Sequence, residues 1–261
     1  MIDGPDGVGK GTLTAAAASF LMSKSKEVFE LQKWWLKNSW YPSISELLNR
    51  RAQVLISAEP TYVGIGREIR NELISEAAVR AGRSYTAEQT AQAYALDRAV
   101  LYQAIIIPAL KAGLTVIQER GFPSSFAYQP LQASICGEKL TLEDVKKLAG
   151  NQLATKHAPN LLIIPTVVTA EAMARIENRL TKKDDSIFEK VKFQEDLRSV
   201  YASMGFKEVF EKIGTEVVYI DASGTAAETA SRAIVVIDER LRRAGVLEGP
   251  DQKSQVSLLN F

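Results

Sequence analysis

Residues 4 to 12 of the chain read GPDGVGKGT, and this stretch decides the expected fold. Glycine has no β-carbon, so the backbone N–H groups of such a loop can turn inward around phosphate oxygens. A helix that starts directly after the loop adds its positive N-terminal end, and Lys10 supplies a cation for the β and γ phosphates. The pattern therefore predicts a phosphate-binding loop between a first strand and a first helix.

The loop departs at one position from the pattern G-x-x-x-x-G-K-[ST]. Gly11 stands where the pattern has a hydroxyl, and Thr12 follows one residue later. That hydroxyl normally contacts magnesium, so either Thr12 reaches the ion through an altered turn or water holds it. An ordinary glycine-rich turn is the alternative interpretation, and Lys10 in this context disfavours it.

Short apolar runs alternate with long helical patterns along the rest of the chain, which is typical of parallel βαβ units. Thr86 and Gln89 have the spacing of a capping box at the start of a long helix that Gly113 ends, and Thr225 with Glu228 repeats the box. We expect an α/β, three-layer P-loop NTPase fold with a five-stranded parallel sheet flanked by helices. The predicted strands are Met1 to Asp3, Gln53 to Ser57, Leu114 to Glu119, Asn160 to Thr166 and Glu216 to Asp221.

The expected organisation is one domain over residues 1–244 followed by a polar tail, 245–261. Only Met1 and Ile2 precede the loop, so the first strand is short for a central one. Residues 23–51 are long for a connection, carry all three tryptophans and are predicted to hold helical structure of their own. These rings either cap a satellite core or form a partner surface.

Composition narrows the class of protein. The chain has 32 lysines and arginines and 31 acidic residues, which gives a net charge of +1. It therefore lacks the large positive charge that is typical of proteins that bind nucleic acids. The single cysteine, Cys136, excludes an internal disulfide framework. The apolar runs are too short to cross a bilayer, and the glycine-rich loop begins at once, so we expect a soluble cytoplasmic protein without a membrane segment or signal peptide.

Three further segments suggest what lies opposite the loop. Tyr94 and Arg98 share one helix face, where a ring and a planar guanidinium suit a nucleobase. Glu119-Arg120 follows a predicted strand and could serve magnesium and phosphate. Glu59-Pro60-Thr61-Tyr62 follows another strand and leads to Arg70. Each also has an ordinary structural interpretation, as core packing, a surface ion pair or a turn.

Taken in order, these segments resemble the thymidylate kinase family, and the resemblance runs through most of the chain. It is closest from Tyr94 to Gln129, YALDRAVLYQAIIIPALKAGLTVIQERGFPSSFAYQ, which is similar to the family's aromatic-x-x-x-Arg helix, I-x-P-A-L turn, D-R-Y strand end and S-S-x-A-Y-Q segment. The resemblance implies ATP-dependent phosphorylation of dTMP to dTDP with Mg²⁺, and a homodimer.

The resemblance also implies roles for individual residues. Tyr94 would stack on thymine, Arg98 would bond its O4, and Tyr128 would crowd the sugar 2′ position. Arg120 would hold the acceptor phosphate, and Asp6 would bond the 3′-hydroxyl. The residues expected to bind the ATP phosphates are Gly4, Asp6, Gly7, Val8, Gly9, Lys10, Gly11 and Thr12. The residues expected to bind the acceptor are Asp6, Glu59, Tyr62, Arg70, Tyr94, Arg98, Arg120, Ser125, Tyr128 and Gln129. The expected metal ligands are Thr12 and Glu119.

A basic run downstream looks like the family's lid, about residues 175–190, which would close over the donor phosphates. Arg175 and Arg179 share a helix face there, and Lys182 and Lys183 follow. A solvated helix face is the alternative. The expected catalytic residues are Lys10, Glu119, Arg120, Arg175 and Arg179.

Several residues depart from the family pattern. Glu119 replaces its aspartate, Gly121 replaces the tyrosine of D-R-Y, and Ala58 stands where many members have arginine. Two other functions therefore stay open: a kinase for another nucleoside monophosphate or a nucleoside, and a non-catalytic nucleotide-binding regulatory protein.

Overall fold

Five parallel strands form the centre of the computed structural model, which describes residues 1–177, 186–188 and 190–247. They pair in the orders β1-β2-β3 and β4-β5, and every pairing is parallel. The strands are β1 Val28–Glu30, β2 Val54–Ala58, β3 Thr115–Glu119, β4 Leu161–Thr166 and β5 Glu216–Asp221. The α/β class with a parallel sheet is thus confirmed.

The expected single five-stranded sheet needs correction. Four predicted strands are present, but Met1 to Asp3 is not a strand: Ile2 makes one isolated parallel bridge to Glu119 and one to Ile163. The fifth strand is β1, which lies in the segment 23–51, for which helical structure was predicted. Three residues are too few to extend a ladder between β3 and β4, so the structure has a three-stranded and a two-stranded sheet that meet at Ile2.

Fourteen α-helices surround the strands in the described part of the chain. They are α1 Lys10–Ser23, α2 Leu31–Trp35, α3 Ile44–Asn49, α4 Gly64–Glu68, α5 Glu76–Arg80, α6 Ala87–Leu101, α7 Ile107–Lys111, α8 Phe122–Cys136, α9 Leu142–Lys147, α10 Ala149–Lys156, α11 Thr169–Glu177, α12 Val191–Ala202, α13 Met204–Glu211 and α14 Ala226–Arg243, with π-helical turns at Ile69–Leu73 and Tyr102–Ile106.

Both predicted capping boxes are present. Thr86 accepts from the Gln89 N–H at the start of α6, and Thr225 accepts from the Glu228 N–H at the start of α14. The helix that begins at α6 continues through the π-helical turn into α7, and Gly113 follows it with a φ of +81°. That continuous helix, 87–111, is long and apolar enough to cross a membrane by length and composition alone. It packs against α8 and α10, as a core helix does.

The two sheet faces bury separate apolar clusters, which gives three layers. One cluster contains Leu55, Leu162 and Val217 from the strands and lies under α6, α8, α12 and α13. The other contains Ile117 and Ile163 and lies under α1 and α14. Alternate residues along the strands therefore face opposite helical layers, as parallel strands covered on both sides require.

The segment 23–51 is part of this core. It supplies β1 and the short helices α2 and α3, so the expected helical structure is present. Trp35 is buried against Tyr41 and Tyr62, whereas Trp40 is 60% exposed. The tryptophans thus divide between core packing and surface.

Candidate active site

The glycine-rich loop has the backbone that its sequence predicts. Gly7 and Gly9 have φ values of +77° and +88°, a region that favours glycine, and Gly9 caps α1. A β-carbon on Gly7 would lie 2.3 Å from the carbonyl oxygen of Ala172 in α11, so only glycine fits this close approach. Lys10 begins α1, which places its N-terminal N–H groups at the loop.

Lys10 lies almost entirely buried beneath this loop, with 5% of the residue exposed. Its Nζ donates to the carbonyl of Pro5 and lies 4.0 Å from Asp6 Oδ1. Burial, followed by the nearby Arg120 guanidinium, lowers the pKa of Lys10 to about 7. The ammonium therefore lies in a site where an added anion would stabilise its charged form.

Asp6 joins the loop to two other elements. Its carboxylate accepts from the Arg120 guanidinium, from the Tyr128 hydroxyl at 3.0 Å and from Gln194 Nε2 at 3.0 Å. The Asp6 N–H donates to Gln194 Oε1 at 2.9 Å. Arg120 has a positive φ of 60° directly after β3, which turns its side chain back over the loop toward the Gly4 carbonyl.

Asp3 supports the loop from below and is fully buried. Its carboxylate accepts from the Gly4 N–H at 2.7 Å, the Ser124 hydroxyl at 2.7 Å and the Tyr201 hydroxyl at 2.8 Å. A charged group with this many donors is stable in the interior and fixes the loop relative to α8 and α12.

Gly11 and Glu119 face each other across the mouth of the loop. A β-carbon on Gly11 would lie 3.6 Å from Glu119 Oε2 and 3.8 Å from Oε1. The carboxylate of β3 therefore reaches the space beside the position where the loop pattern has a hydroxyl. Thr12 lies next to it and lines the same cavity.

The opposite wall is built on a buried ion pair. Arg98 Nη2 lies 2.6 Å from Glu59 Oε2, and both side chains are at most 2% exposed. Arg98 also donates to Asn151 and, at 3.1 Å, to Ser125 Oγ, while Gln118 Nε2 donates to Glu59 Oε1 at 2.7 Å. Burial raises the pKa of Glu59 to about 7, although Arg98 opposes that rise.

Arg70, Tyr62 and Tyr94 complete that wall. Arg70 donates to the carbonyl oxygens of Pro60 at 2.6 Å and Thr61 at 3.3 Å, and its guanidinium lies 4.1 Å from the centre of the Tyr62 ring. Burial raises the pKa of the Tyr94 hydroxyl to about 12. Tyr94 is half-buried and lines the cavity with Tyr62 and Arg70.

The loop and the opposite wall enclose one cavity of about 520 Å³ at the carboxyl ends of β2 and β3, where an open parallel sheet binds ligands. Fifteen of the predicted site residues line it: Asp6, Gly7, Gly9, Lys10, Gly11, Thr12, Glu59, Tyr62, Arg70, Tyr94, Arg98, Glu119, Arg120, Tyr128 and Gln129.

Four other predicted residues lie outside the lining. Gly4 and Val8 belong to the loop, and Ser125 accepts a hydrogen bond from Arg98, which lines the cavity. Arg175 Nη2 instead donates to Glu171 and to the carbonyl oxygens of Ala222 and Gly224. Arg179, Lys182 and Lys183 lie outside the described residues, as does part of the tail.

Several polar residues of the site were not predicted from the sequence. Asp97 accepts from the Thr61 N–H and hydroxyl at 2.8 and 2.7 Å and so fixes the loop after β2. Asn151 holds Arg98, and Gln194 holds Asp6. The one sequence signal for Asp97 is its place beside Arg98 in the stretch Tyr94 to Arg98. Gln194 and Asn151 carry no such signal.

Comparison with known proteins agrees with this geometry. The thymidylate kinase family model matches residues 37–234. The chain is 26% identical over 240 residues to the thymidylate kinase of Clavibacter sepedonicus, covering 90% of this chain and 94% of that one. It is 31% identical to the probable thymidylate kinase of Pyrobaculum calidifontis, over 76% of this chain and 89% of that one. It is 32% identical to the thymidylate kinase of Fervidobacterium nodosum, over 70% of this chain and 82% of that one. The loop, the cavity and these matches together place the chain in the thymidylate kinase family.

Proposed function

We propose that the protein transfers the γ-phosphoryl group of ATP to the 5′-phosphate of dTMP, which gives dTDP and ADP. The observation that carries this proposal is the cavity of about 520 Å³, because the phosphate loop lines one wall and arginines and aromatic rings line the other. A donor and an acceptor nucleotide bound there would have their phosphates between Lys10 and Arg120. Family membership supports this reaction.

On the donor side, residues Gly4 to Thr12 cradle the phosphates with backbone N–H groups. Lys10 contributes its charge to the β and γ phosphates. Phosphoryl transfer has a loose transition state with charge on the equatorial oxygens, so positioning and charge stabilisation supply the catalysis. The segment 175–190 acts as the lid over these phosphates in this proposal, with Arg179 as a further cation.

On the acceptor side, Arg120 and Arg70 bind the 5′-phosphate, and Asp6 accepts from the 3′-hydroxyl. An acceptor phosphate is already anionic, so no strong base is needed. Tyr128 lies against Asp6 at 3.0 Å, next to the place of the sugar, and would exclude a 2′-hydroxyl.

The base lies between Tyr94 and the buried Arg98 in this proposal. Arg98 directs Nη1 and Nη2 to Asn151, Ser125 and Glu59, which fixes the guanidinium plane before a base arrives. Its Nε is buried without a partner in the described structure, and Gln129 Oε1 is likewise without one. An unpaired donor and an unpaired acceptor on this wall suit the edge of a pyrimidine, which carries both kinds of group.

The residues at the loop mouth also fit Mg²⁺. Oxygen ligands suit this ion, and it keeps several waters and binds one or two carboxylates together with substrate phosphates. Glu119 and Thr12 would hold it, and the described residues contain no cluster of three or more metal-binding side chains that competes. The ion would neutralise charge on the β and γ phosphates. The Glu119 carboxylate beside Gly11 compensates for the hydroxyl that the loop lacks.

We further propose one kinase domain over residues 1–244 that works as a cytoplasmic homodimer. Leu96 and Val100 on α6 are 55% and 38% exposed, and such apolar side chains on one helix face suit contact with a second copy.

A coupled ADP-release assay with ATP, Mg²⁺ and each common nucleoside and deoxynucleoside monophosphate tests the reaction. We expect dTMP to give the highest kcat/KM and ribonucleotides to react far more slowly. A different best acceptor would replace dTMP in the proposal. Background rates with every acceptor would refute the kinase activity and favour a regulatory nucleotide-binding protein.

ATP binding should be coupled to proton uptake by Lys10. The pKa of Lys10 is lowered to about 7 in the free protein, so much of this amine is neutral at pH 8, and added phosphate charge raises the pKa again. Calorimetric titration of ATP at pH 8 in buffers of different ionisation enthalpy should show uptake of a fraction of a proton. Lys10→Met removes the amine and should remove that uptake; equal uptake in both proteins would refute this assignment.

A further inference from the structure

The segment 23–51, which carries the three tryptophans, packs against the cavity wall opposite the phosphate loop. Trp35 of α2 is 5% exposed, and its ring centre lies 6.3 Å from that of Tyr62 and 5.7 Å from that of Tyr41. Tyr62 lines the cavity, whereas Trp35 does not. The buried tryptophan therefore contacts a cavity residue from behind the wall.

Tyr41 makes a second contact between the same segment and that wall. Its hydroxyl shares a hydrogen bond with the side chain of Thr61. Thr61 is fully buried, and Asp97 of α6 accepts from its N–H and its hydroxyl. A β-carbon on Gly66 of α4 would lie 2.4 Å from the Thr61 nitrogen, so α4 also approaches this residue closely. Thr61 is thus held by three separate elements.

The loop that these contacts hold is the one that positions Arg70. The guanidinium donates to the carbonyl oxygens of Pro60 at 2.6 Å and Thr61 at 3.3 Å, and it lies 4.1 Å from the centre of the Tyr62 ring. Thr61 and Tyr62 are also the two residues that the segment 23–51 contacts. A guanidinium fixed in this way before a ligand arrives loses little conformational freedom on binding.

The helix that carries Trp35 also reaches the cavity itself. Gln32 lies three residues before Trp35 on α2, so the two side chains share one helix face. Gln32 is exposed and lines the cavity together with Arg70. Its side-chain amide has two N–H donors, which suit an anionic phosphate oxygen.

We propose that the segment 23–51 is part of the site for the acceptor phosphate. Trp35 is a positioning residue that fixes Arg70 through Tyr62, and Gln32 donates to the phosphate of the bound acceptor. This inference rests on the proposed function, in which Arg70 binds the 5′-phosphate of dTMP. It assigns the buried tryptophan a role in binding that neither core packing nor a partner surface requires.

The other two tryptophans provide matched controls. Trp40 is 60% exposed, and its carbonyl oxygen accepts from Trp34 Nε1 at 2.9 Å. Trp34 packs against Phe29 and Arg50. Within the described residues, neither of these two tryptophans lines the cavity.

Steady-state kinetics of Trp35→Leu test the positioning role. We expect the KM for dTMP to rise about three- to tenfold, as the loss of an aromatic contact predicts, and the KM for ATP to stay within about twofold. Trp35→Phe keeps a ring and should restore most of the dTMP affinity. Trp40→Leu makes the same change at the surface and should alter neither KM. Phe210→Leu removes a buried ring that does not line the cavity, so it should lower Tm without altering either KM.

Gln32→Ala tests the direct contact with an exposed residue, so the core is not disturbed. The KM for dTMP should rise about tenfold, because a hydrogen bond to a charged group is lost. Thymidine has no phosphate, so its inhibition constant against dTMP should stay the same. Gln152→Ala changes an exposed glutamine on α10 and should leave the KM for dTMP unchanged.

Fluorescence gives a readout that a purely structural tryptophan would not change. The variant with Trp34→Phe and Trp40→Phe keeps Trp35 as its only tryptophan. Addition of dTMP should change its emission to saturation, because a phosphate bound to Arg70 alters the electrostatic field at the Tyr62 ring and at Trp35. Thymidine should produce no such change.

Arg70→Ala separates a failure of this inference from a failure of the proposed function. If Arg70→Ala leaves the KM for dTMP unchanged, Arg70 does not bind the acceptor, and both the proposed acceptor site and this inference are wrong. If Arg70→Ala raises this KM but Trp35→Leu only lowers Tm, or raises both KM values equally, the inference alone is wrong.

The remaining outcomes decide the two residues separately. If Trp35→Leu does not fold, the protein with Trp35 as its only tryptophan decides its role, and equal emission with and without dTMP overturns it. An unchanged KM for dTMP in Gln32→Ala removes Gln32 from the acceptor site.

Discussion

Lys10→Ala should reduce kcat by about three orders of magnitude, which corresponds to roughly 4 kcal/mol of transition-state stabilisation. Lys10 is the only lysine that lines the cavity within the described residues, and its Nζ already lies among Pro5 and Asp6 at the loop. The acceptor KM should change little, because dTMP binds on the opposite wall. Steady-state kinetics with each substrate varied in turn measure both effects.

Two control variants sharpen this test. Lys24→Ala removes a lysine just after the same helix, where the ammonium lies over the Phe20 ring at the surface, and should leave kcat unchanged. Lys10→Arg keeps a cation but not its compact shape, so partial activity is expected. If Lys10→Ala keeps wild-type kcat, Lys10 has no part in the reaction.

The network under the loop explains why one lysine can matter this much. Asp3 and Asp6 fix the loop against α8 and α12 through hydroxyl, guanidinium and amide donors. The site is therefore assembled before ATP arrives, and little reorganisation is needed during transfer. The loop contributes preorganised N–H groups, and Lys10 contributes a positive charge held beside Pro5 and Asp6.

Local signals in the sequence predicted local structure well. The spacing of Thr86 with Gln89, and of Thr225 with Glu228, located two helix starts because a capping box involves only four residues. The loop backbone was predictable for the same reason. Fifteen cavity residues were found because the glycine-rich loop was recognised directly and the resemblance to the thymidylate kinase family assigned most of the others, at strand ends and on one helix face that converge in a parallel α/β sheet.

Long-range contacts were not predictable in this way. Gln194 reaches Asp6 across 188 residues, and Tyr201 reaches Asp3 across 198, and neither pairing leaves a pattern in a single sequence. The first strand was predicted from its apolar residues, but a ladder also needs length. Residues 28–30 were missed because Val28-Phe29-Glu30 is too short to show alternation.

Arg175 shows the limit of helix-face reasoning. Its spacing from Arg179 placed both on one face, yet the Arg175 guanidinium contacts Glu171 and the carbonyl oxygens after β5. Those carbonyl oxygens belong to a distant segment, so the sequence gives no sign of them. The role of Arg175 in catalysis stays a prediction.

Arg98→Ala should lower the free energy of unfolding by about 3 to 5 kcal/mol, because it leaves the Glu59 carboxylate buried without its partner. As whole residues, Arg98 is 0% exposed and Glu59 is 3% exposed, so water does not replace the guanidinium easily. Chemical denaturation at pH 8 measures this loss. The same variant should raise the KM for dTMP far more than the KM for ATP; equal effects would argue against a base-binding role.

The stability of this pair also depends on pH. The pKa of Glu59 rises from 4.5 to about 7 on folding, so the folded protein binds more protons between these values. This contribution to stability is therefore complete below about pH 4.5 and is lost as pH rises through 7. Without Arg98 the pKa rises further, so the Arg98→Ala variant should lose stability more steeply between pH 6 and about 8.

A double variant separates stability from recognition. In Arg98→Met with Glu59→Gln, no buried charge is left unpaired, so the free energy of unfolding should return to within about 1 to 2 kcal/mol of the wild type. The dTMP affinity should stay as weak as in Arg98→Ala, because the guanidinium that faces the base is still absent. If the double variant recovers dTMP affinity together with stability, Arg98 acts only by packing, and Tyr94 and Gln129 are left as the groups that select the base.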